Sequence, residues 1–223
     1  MKCIVTAGPT YEELDEVRRL TNFSTGTLGT ELANYLTDQG HEVILFRGYY
    51  STCQIEPKAR EIHVFTTTAD LARQLKRAGS PKTGAVFHAA AVSDFSFGRI
   101  WRRAEIRALA EIKSRKISTR GGTILAELKP TPKIISYLPG WFPNARLVGW
   151  KYEVDGDRAQ ATTRGKRQLK ESLTHACVVN GPAYGKGFGF VTRGGRSVHL
   201  ADRLKLFGAL AGFLKSTPKA RTS

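Results

Sequence analysis

Three cysteines, one methionine and 19 acidic residues are few for 223 positions, and each scarcity closes off a class of protein. Cys3, Cys53 and Cys177 lie far apart with no CxxC pair, so neither a disulfide framework nor a zinc site is indicated. Cys3 and Cys177 fall inside apolar strand-like runs, where a thiol packs as a small hydrophobe. Long apolar runs are also missing, and nothing approaches the roughly 18 residues of a membrane span. Met1-Lys2-Cys3-Ile4-Val5 enters strand-like sequence directly, without the layout of a signal peptide, so a soluble, cytoplasmic chain with no membrane partner is expected. His41, His63, His175 and His199 show no ligand spacing, and His88, between Phe87 and Ala89, reads as a packed core histidine. No Ser/His/Asp or Cys/His arrangement is readable.

The shortage of acids leaves 35 Lys+Arg unbalanced, for a net charge of +16 and a pI near 10.1. Such a field attracts polyanions. The first 31 residues do not share in it, because Lys2, Arg18 and Arg19 face Glu12, Glu13, Asp15, Glu16 and Glu31. The excess lies in GRIWRRAEIRALAEIKSRKISTR (98–120) and RAQATTRGKRQLK (158–170). A basic nucleic-acid-binding module is one open reading, although a charge run is more often a solvated helix face, and no nucleic-acid partner is expected. Few carboxylates beyond Glu105 and Glu111 stand near the arginines of WRRAEIRALAEIKSR, so these are expected to stay wet, on an exposed helix or at a dimer contact.

What is present is a strict alternation. KCIVTAG is a short β-branched run ending in Gly. Leu28, Leu32, Tyr35 and Leu36 then form one helical stripe with Gly40 as its stop, EVILF and IHVFTT read as strands, ADLARQLKRAG as a helix, and AVFHAAAV as a buried strand. This order predicts a doubly wound (Rossmann-like) α/β fold, a parallel sheet with helices on both faces. From about residue 95 a basic connector leads to KISTRGGTILAEL, two short β segments across Gly121-Gly122 that predict a flap over about 95–128. The alternation resumes with TPKIISYL (helix), RLVGWKYE (strand), DRAQATTRGKRQLKESL (helix), HACVVN (strand) and a hairpin around Gly194-Gly195. A terminal helix using Leu204, Phe207, Leu210, Ala211 and Leu214 closes a single domain expected to span 1–216, with 217–223 as a disordered tail.

In such a sheet ligands bind outside the carboxyl ends of the strands. Those ends read TAGPT, FRG, HAAAVSDF, VGWKYE and VVNGPAYG. TNFSTGTLG (21–29) precedes the first helix, where free N–H groups and the positive dipole end suit an anion. Gly26 and Gly29 remove obstructing side chains, and Ser24, Thr25 and Thr27 add hydroxyl donors. Standing alone, the stretch reads as well as an ordinary Ser/Thr N-cap. It supplies no GxGxxG and no GxxxxGK[ST], which weakens a Rossmann-like NAD(P)-binding oxidoreductase as the alternative.

VTAGPTYEELDEVRRLTNFSTGTLGTELANYLTDQGHEVILFRG, followed by HAAAVSDF, KISTRGGTILAELKPTPKII, VGWKYE and CVVN, resembles the phosphopantothenate–cysteine ligase family in motif and in order, from about residue 2 to 214. The resemblance implies a homodimeric ligase of coenzyme A synthesis that joins 4′-phosphopantothenate to L-cysteine. The reaction runs through an acyl-nucleotidylate, with release of pyrophosphate. It implies ATP or CTP as co-substrate and Mg2+ carried by the triphosphate. Nothing matches the decarboxylase flavoprotein often fused upstream, so no flavin is expected. Ser118 stands where bacterial members have a second lysine, Lys129-Pro130-Thr131-Pro132 where they have Asn-Pro-Asp, and Trp150-Lys151-Tyr152-Glu153 where they have Phe-Ala-Ala-Glu. All three departures lean toward the eukaryotic pattern, in which ATP is usual.

By the same resemblance Asn22 holds the acyl group, Arg18 contacts phosphopantothenate, and Lys116 covers the triphosphate from the flap as a mobile point charge. Gly8, Ala90, Asp94, Trp150 and Asn180 join Ser24, Thr25, Gly26, Thr27 and Gly29 as nucleotide-binding candidates. Four of them have a plainer reading from the residues alone. Asn22 supports its own turn, Asp94 caps a strand end, Lys116 is one exposed lysine of many, and Trp150 is core. Arg19 is expected to face solvent.

Overall fold

Residues 1–103, 109–120 and 122–215 are described in a computed structural model. The expected tail, and Glu105, Arg107 and Gly121, lie outside them. In chain order the elements are β1 (Lys2–Ala7), β2 (Tyr11–Glu13), β3 (Arg19–Thr21), α1 (Thr27–Asp38), β4 (Glu42–Gly48), β5 (Glu61–Phe65), α2 (Thr68–Ala78), β6 (Ala85–His88), β7 (Phe95–Arg103), β8 (Leu109–Glu111) and β9 (Ile124–Pro130). A short 3-10 turn (Ile134–Ser136), α3 (Leu138–Trp141), β10 (Arg146–Tyr152), α4 (Arg158–Glu171), β11 (Ala176–Asn180), β12 (Phe188–Thr192), β13 (Ser197–Leu200) and α5 (Arg203–Lys215) follow.

The central sheet runs β5-β4-β1-β6-β10-β11 in parallel, and the hairpin β12-β13 extends it antiparallel. The chain fills one half outward from β1, returns to the middle and fills the other half from β6, so the order reverses between β1 and β6. That crevice is where such sheets bind ligands. An isolated bridge from Pro9 to Ala91 carries the β1-β6 pairing past the sheet edge.

Because side chains alternate along a strand, β1 feeds both faces. Cys3, Val5 and Ala7 pack with Leu32, Ala33 and Leu36 of α1 and with Leu206, Phe207, Leu210 and Leu214 of α5. Ile4 points the other way, into Leu71 and Leu75 of α2 and Ile134, Leu138 and Phe142. On α4, Ala161 and Leu169 cover Cys177, Val179 and Val191. All three cysteines are buried and free. Among the described residues no helix is long and apolar enough to cross a membrane.

Three expectations are corrected. The arginine-rich stretch is not a helix where it is described: β7 pairs antiparallel with both β8 and β9, and Ile100, in its middle, is buried. FSFGRIWRR is aromatic and β-branched, and that local preference outweighs its charge. In KISTRGGTILAEL β9 is the strand among the described residues; Lys116–Ser118 is irregular, held by contacts to the turn between β2 and β3 rather than by a ladder. In α5 the buried face uses Leu206, while Leu204 is 74% exposed.

A further antiparallel hairpin, β2-β3, lies outside the strand–helix alternation. Its first strand is tied to the end of β5, the Tyr11 N–H donating to the Thr66 carbonyl at 3.1 Å.

At Gly29, on α1, a Cβ would lie 2.6 Å from the Ala7 Cβ of β1. Gly29→Ala is expected to force α1 off the sheet and destabilise the chain by about 1–3 kcal/mol. Gly212, exposed on α5 with open space around it, is the control, and alanine there should stabilise by up to about 1 kcal/mol. Thermal unfolding of the two variants checks the contrast; equal Tm values would deny the close approach.

Candidate active site at the carboxyl edge of the sheet

Two glycines with positive φ meet where β1 gives way to α1. Gly8 (φ 84) and Gly26 (φ 78) lie so close that a Cβ on Gly26 would come 3.2 Å from the Gly8 Cα. Gly26 is also the N-cap of α1 and has no side chain to cap with, so the ordinary Ser/Thr cap weighed from the sequence is not what stands here. The first-turn N–H groups of a helix have no intrahelical partner, which leaves this end open to an anion. Thr25 and Thr27 share a hydrogen bond between their hydroxyls at 2.9 Å. The Thr25 carbonyl is fixed from the β4 side, accepting from Ser51 Oγ at 2.8 Å and from the Cys53 N–H at 3.0 Å. Ser24 is half-buried beside them.

Across the crevice, the irregular backbone after β6 is held by buried hydroxyls. Thr6 Oγ1 accepts from the Ala90 N–H at 3.1 Å and lies 2.9 Å from His88 Nδ1. Thr10 Oγ1 accepts from the Ser93 N–H at 2.8 Å and donates to Ser93 Oγ at 3.0 Å. The Ala91 carbonyl, between these clamps, accepts from the Thr10 N–H at 3.1 Å and from Asn22 Nδ2 at 3.2 Å. Asn22 is thus brought to the crevice, its amide tied to the β6 end rather than to its own turn.

Asp94 is exposed and forms an ion pair with Lys133, which sequence reasoning missed. Thr131 anchors the same corner through its N–H to the Asp94 carbonyl at 3.0 Å. The two partners stand 39 positions apart, and neither has a local signal of the other. Trp150 is half-buried and packs against the α1/α5 core. Asn180 pairs in register with Tyr152 and its carbonyl accepts from the Glu153 N–H at 2.9 Å. With strands about 4.8 Å apart, β10 lies roughly 10 Å from β1, about the span of a nucleoside.

Arg18, on the far side of β3 from Asn22 in sequence, comes together with Lys116 in a lining of their own. With Val17, Ile117, Ser118, Thr119 and Arg120 they line an open cavity of about 530 Å³. Lys116 is exposed. Arg18 is already engaged, donating through Nε and Nη2 to Asp15 Oδ2 at 3.1 and 2.7 Å and through Nη2 to the Ile117 carbonyl. Arg19 is exposed, as expected, and lies 4.5 Å over the Tyr11 ring while donating to the Tyr50 hydroxyl at 2.6 Å. Among the described residues no group of three His, Cys, Asp or Glu could hold a metal ion.

The profile of the DNA/pantothenate metabolism flavoprotein C-terminal domain matches residues 1–203. The chain belongs to that family. It is 31% identical over 180 residues to the coenzyme A biosynthesis bifunctional protein of Thermococcus kodakarensis, covering 80% of this chain and 41% of the relative. The Bacillus subtilis protein of the same description is 29% identical over 190 residues, 85% of this chain and 43% of that one. The chain therefore spans about two fifths of the curated relatives' length. Among solved structures, the DNA/pantothenate metabolism flavoprotein of Streptococcus pneumoniae superposes with a TM-score of 0.84 at 26% identity, over 96% of this chain and 98% of that one. A Cab2 H337A mutant in complex with phosphopantothenate-cysteine shares the fold, with a TM-score of 0.65 at 18% identity over 96% of this chain and 89% of that one.

For this member of the family, His88 makes a pH test available. Burial holds its imidazole neutral, with the pKa lowered to about 4 from 6.5. Between those values the unfolded chain binds the proton and the folded chain does not, so stability falls as pH drops from 6.5 to 4, by about 3 kcal/mol in total. Denaturant titrations from pH 7 to 4 should show this loss in the parent and a flatter profile in His88→Gln. Identical profiles would mean that His88 is not buried as described.

Proposed function

We propose that this chain is a phosphopantothenate–cysteine ligase, forming an acyl-nucleotidylate from 4′-phosphopantothenate and ATP or CTP and passing the acyl group to the amine of L-cysteine. The observation that carries the reading is the placement of Asn22. Its amide reaches the Ala91 carbonyl at the β1-β6 reversal, beside a helix N-terminus whose cap is a bare glycine. Family membership supports the reaction class.

Negative charge builds first on the oxygens of the α-phosphate during nucleotidylation and then at the acyl oxygen when the amine adds. Fixed donors and cations stabilise both. The first-turn amides of α1, with Ser24, Thr25, Thr27, Gly8, Gly26 and Gly29, receive phosphate oxygens. Asn22 Nδ2 donates to the acyl oxygen, Lys116 adds positive charge from the flap segment, and Arg18 offers its remaining N–H groups to phosphopantothenate. Ala90, Asp94, Trp150 and Asn180 border the nucleoside. Asp94 is the one carboxylate among these candidates and is bound to Lys133, so Mg2+ would be held by triphosphate oxygens and water rather than by a protein cage. In this reading the working form is a homodimer in the cytoplasm, and the high positive charge serves two anionic substrates.

With phosphopantothenate, L-cysteine, Mg2+ and either triphosphate, the chain should release pyrophosphate and form the amide. Asn22→Asp should still release pyrophosphate but lose amide formation by about 10²-fold, near 3 kcal/mol, because a carboxylate repels the acyl oxygen that an amide would donate to. Lys116→Gln should slow the pyrophosphate step itself. Coupled pyrophosphate release and product chromatography separate the two, and amide yield at the parent rate in Asn22→Asp would remove Asn22 from this role.

A further inference from the structure

The side chain of Asp15 is 2% exposed although it sits in a turn at the surface, between β2 and β3. Five donors converge on its carboxylate. Oδ1 accepts from the backbone N–H of Val17 at 3.0 Å and of Arg18 at 2.8 Å, which shapes the turn itself. Oδ2 accepts from Arg18 Nε and Nη2, and from the backbone N–H of Ile117 at 3.0 Å, a residue 102 positions away. Arg18 then reaches past the carboxylate to the Ile117 carbonyl. One residue earlier, the Glu16 N–H donates to the Arg115 carbonyl at 3.0 Å while the Arg115 guanidinium pairs with the Glu16 carboxylate. Ile117 is 4% exposed and serves as the apolar anchor.

Lys116 is therefore the one exposed residue between two pinned neighbours. The pin leads onward: from Arg18 the chain runs through β3, where Thr21 Oγ1 donates to the Thr10 carbonyl at 2.9 Å, directly into Asn22. A lysine on the flap and an asparagine at the sheet edge are thus set relative to one another through four residues of backbone. We propose that Asp15 is a positioning residue for the nucleotidylation step, clamping the Arg115–Ile117 segment through the Ile117 N–H so that the Lys116 ammonium is held over the triphosphate. The inference rests on the role of Lys116 proposed above. The Ile117 N–H also draws the Asp15 carboxyl well below the usual carboxylate range, so the clamp is ionised throughout neutral pH.

A neutral amide at position 15 presents only one acceptor oxygen and turns an N–H toward donors. Asp15→Asn is expected to lower kcat for pyrophosphate release by about tenfold to 100-fold, with little change in KM for cysteine. In a Lys116→Gln background the same substitution should cost less than about twofold, because the group it positions is gone. Trypsin should also cut the full chain faster after Arg115 and Lys116 in Asp15→Asn than in the parent. Full, additive loss in the Lys116→Gln background, or parent-like kcat and proteolysis in Asp15→Asn, would overturn the inference. Parent-like pyrophosphate release by Lys116→Gln alone would instead overturn the functional reading beneath it. If Asp15→Asn does not fold, Asp15→Glu, which keeps the charge and lengthens the arm by one methylene, goes through the same cycle with the same expectations.

Discussion

Helix α1 meets β1 with almost nothing between them, and the placement of the whole carboxyl edge follows from that contact. Gly29 lies against Ala7, and Gly26 against Gly8, at distances that a single added methyl group would violate. A third position, Gly48 at the end of β4, lies against the Pro9 backbone. Small residues at a helix–strand junction lower the helix onto the sheet, and the positive φ of Gly8 and Gly26 turns the chain sharply enough to bring the helix N-terminus back over the strand end. The close helix–strand approach of dinucleotide folds is reached here without their glycine spacing.

Backbone that leaves a sheet loses its ladder partners, and buried N–H groups must find others. After β1 and β6 side chains supply partners alongside backbone carbonyls: Thr6 for Ala90 and Thr10 for Ser93, and after β5 Glu12 Oε1 serves the Thr68 N–H at the start of α2. Glu12 is 8% exposed, and its carboxylate supplements the Thr67 cap from another element and complements the α2 dipole. These hydroxyls occupy space that a hydrophobic core would fill better. In return they fix irregular peptides, including the Ala91 carbonyl that holds Asn22.

The excess positive charge is not spread evenly over this frame. Acids of the first 31 residues are engaged at the β2-β3 hairpin and α1: Asp15 with Arg18, Glu16 with Arg115, Glu31 with Arg203. Each of these contacts recruits a base from elsewhere or holds the hairpin to the flap segment. The remaining cations, on β7 to β9 and on α4, largely face solvent, where exposed charges more than about 8 Å apart are screened at physiological salt. A local anion site therefore depends on the few cations near the crevice, and much less on the total of +16.

The alternation of strands and helices was legible because each element carries its own period. The stripe of α1, the apolar run of β1 and the glycine stops are local signals, and the parallel order follows from right-handed crossovers. The TNFSTG stretch and the strand ends could be named for the same reason: a Rossmann-like order puts strand ends and helix starts on one edge. The arginine-rich connector alone suggests a wet helix or a dimer contact, while its aromatic and β-branched residues form a strand only when a partner strand is beside them. Likewise Leu206 and Leu204 compete for one helix face, and only the packing of α5 on the sheet chose between them. Contacts such as Asp15 with Ile117, or Asp94 with Lys133, join residues far apart in sequence through single hydrogen bonds and ion pairs, which leave no periodic trace. The sequence by itself determined the layers and the edge at which a ligand would sit. Tertiary structure alone decided which side chains meet there, because a contact between distant residues depends on how every intervening element is packed.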